Sequence, residues 1–167
     1  MKKLLMIAAL LLMGSGAFAQ TNAVTIDNTK DPCGVNVVLL ARDLPLGYPV
    51  CSIRGNNVYI APFSTMVWPN YSVFQTLVGW TDPTIVLPPA DPNFVWTDFE
   101  FQFVNCEPVT GCSDGGNYLV NSSASCEYPG GTTNPWIDPY CSGTPLTATL
   151  APSGGGPGTN FVVTFFW

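Results

Sequence analysis

Between residues 33 and 68 apolar and polar residues alternate in short runs: Val35, Val37, Leu39 and Ala41, then Val58 and Ile60. Pro45-Leu46-Gly47 and Gly55-Asn56-Asn57 punctuate those runs. Successive side chains of a strand point to opposite faces, so period-two runs bounded by Gly, Pro and Asn predict β-strands joined by turns. The same reading predicts strands over 23–28, 34–42, 50–53, 57–61, 73–80, 84–87, 94–105, 117–120, 146–151 and 160–167. With 16 prolines and 16 glycines, few windows stay free of breakers long enough for a helix, so none is predicted.

Two of these runs say more. Phe99, Phe101 and Phe103 alternate with Asp98, Glu100 and Gln102, which predicts an aromatic face toward a core and a wet face outside. The last run is apolar on both sides: Phe161, Val163, Phe165 and Trp167 on one, Val162 and Phe166 on the other. A strand of that kind is central in its sheet or covered by something else. The fold expected is all-β: a disulfide-stabilised antiparallel β-sandwich, immunoglobulin-like or related.

The first 19 residues fall outside that pattern. Lys2 and Lys3, an apolar run over 4–13 and Ala17-Phe18-Ala19 have the form of a cleaved signal peptide in a bacterial style. The apolar run is short for a membrane span, so stable membrane insertion is not expected. Residues 20–167 are then one sandwich domain, with a Cys-rich loop region at 106–143 and a flexible hairpin loop at 152–159. Four Asp-Pro pairs, beginning at Asp31, Asp82, Asp91 and Asp138, mark loop entries.

Composition removes whole classes of partner. Beyond the leader only Lys30, Arg42 and Arg54 face eleven carboxylates, a net charge of −8. Nucleic acid requires clustered cations to displace phosphate counterions, and anionic membranes draw on the same chemistry. Neither is expected. Cys33, Cys51, Cys106, Cys112, Cys126 and Cys141 are an even set behind a signal peptide, which points to disulfides in an oxidising compartment. A local Cys33–Cys51 clasp is expected, with the other four paired among themselves. There is no C-x-x-C and no histidine, so a zinc site or a redox dithiol lacks its usual spacing. The chain is expected to be secreted, extracellular or periplasmic.

Without histidine there is no general base for a Ser-His-Asp or Cys-His centre. Carboxylate chemistry would fall to Asp98 and Glu100, roughly 6–7 Å apart across a two-residue rise, a separation within glycosidase range. The plainer reading makes them the solvent face of a strand. Oxygen-rich clusters at Asp27/Asn28/Asp31 and Asp114/Asn117 would suit calcium, but no full calcium loop is present, and no metal or other cofactor is expected. Asn70-Tyr71-Ser72 and Asn121-Ser122-Ser123 fit glycosylation acceptors.

Trp and Tyr in loops offer flat apolar faces with a polar edge, and Trp136, Tyr140 and Tyr71 are the candidates for stacking on sugars or anchoring a partner. Trp80 and Trp96, inside apolar runs, are expected in the core. The strand carrying Phe161, Val163, Phe165 and Trp167 resembles the closing strand of outer-membrane β-barrels and, more loosely, the C-terminal strand of chaperone–usher pilins. The first resemblance implies regular strands of about ten residues, which this broken interior does not supply. The second implies strand addition between subunits. The expected function is a non-catalytic structural or adhesive protein of the cell exterior, working through protein subunits and able to self-assemble by strand addition. The runner-up is a carbohydrate-binding module for polysaccharide, and third comes a small carboxylate-dependent glycoside hydrolase.

Overall fold

The computed structural model describes residues 22–43, 45–89, 91, 93–104, 106, 118–121, 136–137, 147–151 and 160–166, with backbone alone for 48–51, 118–121, 136–137 and 150–151. In chain order the elements are β1 (Val24–Lys30), β2 (Gly34–Asp43), β3 (Tyr48–Arg54), β4 (Val58–Ile60), β5 (Ser64–Trp68), α1 (Tyr71–Leu77), β6 (Val95–Val104), β7 (Tyr118–Asn121), β8 (Trp136–Ile137), β9 (Thr147–Ala151) and β10 (Phe161–Phe166). They form two sheets. One runs β5-β1-β10-β9-β8; the other runs β3-β2-β6-β7, with β4 also paired to β2.

Most ladders are antiparallel, as expected, but β1 and β10 pair in parallel through Val24↔Phe161, Ile26↔Val163 and Asp27↔Thr164. This corrects the purely antiparallel expectation. β10 lies between β1 and β9, which accounts for its apolar residues on both faces: the strand is central. Phe161, Val163 and Phe165 are buried, and Phe165 meets Phe99, Phe101 and Phe103 of the opposite sheet at centroid distances of 5.3–6.1 Å. One core therefore serves both sheets.

The expected Cys33–Cys51 clasp is replaced by Cys33–Cys106, with a Cα–Cα distance of 4.8 Å. Register explains the change. Gly34 faces Val104 across β2 and β6, so Cys33 and Cys106 lie just beyond the end of that ladder. Cys51 lies on β3 beside the far end of β2, where Ala41 pairs with Ile53 and Asp43 with Tyr48. At ~3.3 Å per residue that separation is on the order of 25–30 Å, far beyond the reach of a disulfide. Cys112, Cys126, Cys141 and the Cys51 side chain lie outside the described residues.

The strand expected over 73–80 is instead the helix α1, and 84–87 forms no strand. Asn70 caps the helix, its side chain accepting from Val73 N at 2.9 Å. Gly79, with φ +79°, ends it by donating to Phe74 O. Tyr71 and Phe74, three residues apart, share the buried face. They close one end of the core with Trp68, Trp80, Phe94 and Trp96, whose rings stack or meet edge-on at 4.3–6.1 Å. Trp80 and Trp96 are thus core residues, as expected.

Candidate functional site

Two sheet edges meet on one flank of the molecule. Among the described residues β4 pairs only with β2 and β5 only with β1, and residues 61–63 connect them directly. The connection is held from below: Asn28 Nδ2 donates to Ala61 O, Phe63 N donates to Asp31 O and Ser64 Oγ donates to Ala61 O. Phe63 is fixed at φ +55°, a left-handed conformation that costs a non-glycine residue energy. Its ring is 65% exposed, Val67 on β5 is 56% exposed and Tyr59 on β4 is 48% exposed. Three large apolar side chains thus lie in solvent within nine positions.

The two edges differ in how they are guarded. β3 and β4 form one interrupted border along β2: it carries Pro49 and Arg54, and it breaks at Gly55. There Gly55 N donates to Leu39 O, and residue 55 bridges to Trp80. β5 (Ser-Thr-Met-Val-Trp) has no charge, no proline and a continuous register with β1 from Val24↔Trp68 to Asn28↔Ser64. Edges of that kind present unpaired backbone donors and acceptors to another strand.

Beside this flank, the outer face of the second sheet carries a depression of about 220 Å³ lined by Asn36, Val38, Arg54, Asn57, Glu100, Phe101 and Gln102. Arg54 spans it as a fork. Its Nη2 donates to Glu100 Oε2 at 2.5 Å, and its Nη1 pairs with Glu100 Oε1. Tyr59, Asn36 and Gln102 form one row across β4, β2 and β6. The Tyr59 ring lies over Gly34, where an added Cβ would stand 2.6 Å from the Tyr59 hydroxyl.

Several sequence-picked residues occupy other places. Tyr71, taken as a surface aromatic, is buried: its hydroxyl donates to Pro88 O, accepts from Asp91 N and ties α1 to the 88–91 segment. Burial pushes its phenol above the usual range. Nearby Asp43 is also raised, by burial first and then by the adjacent Asp91 carboxyl. Trp136 lies on β8 with only its backbone described; Tyr140 and Trp167 lie outside the described residues.

Asp98 and Glu100 do not share a wet face. Asp98 is fully buried, in the row with Leu40, whereas Glu100 is half-buried and held by Arg54. Of the candidate calcium oxygens, one on Asp27 and one on Asp31 are taken by turn contacts. Asp27 Oδ1 accepts from Thr29 N and Oγ1, and Asp31 Oδ1 accepts from Cys33 N at 2.7 Å. Asp31 Oδ2 and Asn28 Oδ1 are buried with no hydrogen-bond partner, and burial raises the Asp31 carboxyl to about 6. Asp114 and Asn117 lie outside the described residues.

Phe63, Val67, Tyr59 and the Arg54–Glu100 fork were not singled out from sequence. Exposure of an aromatic after Pro62 has no periodic signature, and the fork joins residues 46 positions apart. A scan of protein-family models and searches of curated proteins and of solved structures find no match to this chain.

Proposed function

We propose that this is a secreted, non-catalytic structural or adhesive protein of the cell exterior, and that it assembles with further copies of itself through the β5 edge. The unguarded strand Ser64–Trp68, with Phe63 and Val67 in solvent beside it, carries the reading. Proteins that stay apart blunt such borders with Lys, Pro or a bulge, as the β3–β4 border does here and β5 does not. The pairing mode is strand addition, in which backbone hydrogen bonds supply affinity and alternate side chains supply fit. Assembly by β10, expected from its sequence, would require that strand to leave the centre of its own sheet. β5 is the better route.

Export is supported by the signal-like leader together with the disulfide. A non-catalytic role is supported by the placement of the two candidate carboxylates, one buried and one ion-paired. The immunoglobulin-like assignment enters only in its broad sense, a sandwich of two sheets over a shared core.

Amide hydrogen exchange measured at rising protein concentration tests the reading. Exchange at residues 64–68 should slow as concentration rises while β10 stays unchanged. Concentration-independent exchange at β5 would remove it.

A further inference from the structure

We infer that the depression between Arg54 and Gln102 is a binding site for one neutral sugar ring, at the end of a glycan or as a free glycoside. This goes beyond the assembly reading and shares no residue with the β5 edge. The composition of the walls selects the ligand class. Three neutral amides, Asn36, Asn57 and Gln102, each offer donors and an acceptor, and none makes a side-chain hydrogen bond to another described residue. Sugar hydroxyls are donors and acceptors at once, so they suit amides better than a one-signed cluster would.

The fork supplies the rest. Arg54 and Glu100 cancel each other's charge, so the described lining residues carry no net charge for an anion or a cation to answer. The chain's overall negative charge disfavours anions further. With Glu100 as the one carboxylate among the described lining residues, already bonded through both oxygens, the site is a poor cation cage.

Size is consistent. Pockets for drug-sized ligands run from roughly 300 Å³ upward, and at about 220 Å³ this one suits a single ring.

The experiment is isothermal titration of the oxidised protein with methyl glucopyranoside, methyl galactopyranoside, methyl mannopyranoside and methyl N-acetylglucosaminide, with methyl glucuronide and inorganic sulfate as charged arms. At least one neutral glycoside should bind saturably, with Kd on the order of 1 mM, as few hydrogen bonds in an open site allow. Asn57→Ala, in an exposed turn where folding is safe, and Gln102→Ala should each weaken that binding at least fivefold. Phe63→Gly should leave it unchanged. Several outcomes would overturn the assignment: no saturable heat from any neutral glycoside at 50-fold above that concentration, preference for the glucuronide or sulfate, or binding untouched by both amide variants. Because Phe63 and Val67 take no part, loss of this site would leave the assembly reading standing, and the reverse.

Discussion

Asp31 is a carboxyl under pressure. One oxygen accepts from Cys33 N; the other is buried with no partner, so the charged form is disfavoured and the carboxyl titrates at about 6. Between its ordinary value near 3.8 and about 6 the folded protein keeps a proton the unfolded chain has released. Stability therefore falls as pH rises through that window, by up to about 3 kcal/mol for a shift of this size. Asp43, also raised, acts in the same direction. The melting temperature should be higher at pH 5 than at pH 7.5, and Asp31→Asn should flatten most of that difference; an unchanged slope in the variant would contradict the assignment. Tyr71→Phe tests a second buried polar contact. Losing the hydroxyl between Pro88 O and Asp91 N should cost about 1–2 kcal/mol in denaturant unfolding, with glycoside binding unaffected. Tyr71 follows Pro69-Asn70, a pair that reads as a loop in the sequence, whereas Asn70 is the cap that starts a helix. The signal was available: Asn at the cap and Gly79 beyond the last turn are helix boundaries. Asp31 could not have been read at all, since its state depends on burial alone.

At the scale of elements, the alternation of side chains located most strands to within a residue or two, because one face of each is core and the other is not. It failed where that contrast fails. In β5 the half-buried Ser64 and Met66 alternate with Thr65 and Val67, so polar and apolar types appear on both faces and the period vanishes. In 73–80 a run of apolar residues is compatible with either period, and capping decides. Two substitutions probe these elements. Gly55→Ala would place a Cβ 2.8 Å from the Phe74 ring and 3.3 Å from Leu39 O. It should destabilise by about 1–3 kcal/mol through overpacking, seen as a lower denaturant midpoint; an unchanged midpoint would mean that the Phe74 ring of α1 is not pressed onto Gly55. Phe63→Gly works the other way. It removes a strained φ and an exposed ring together, so thermal stability should hold or rise while self-association falls. A marked loss of melting temperature instead would assign Phe63 to packing.

For the whole molecule, the two sheets are locked by a shared aromatic core and by one long covalent loop. Cys33–Cys106 closes a separation of 73 residues, so Cys33→Ser with Cys106→Ser should cost about 4 kcal/mol in the chain-entropy account. Peptide mapping of the non-reduced protein should recover the 33–106 link. Its register origin could not be seen from spacing, because pairing of β2 with β6 is a long-range event with three strands and a helix between them in the chain. The central claim, however, concerns what lies outside the core: a sheet that ends at an unguarded strand invites another copy. Sedimentation velocity of the oxidised protein lacking residues 1–19, over a wide concentration range and beside Val67→Lys, tests this most directly. The account predicts concentration-dependent oligomers that Val67→Lys reduces to monomer without lowering the melting temperature. A strictly monomeric wild type at every concentration, or oligomers indifferent to the lysine, would contradict it.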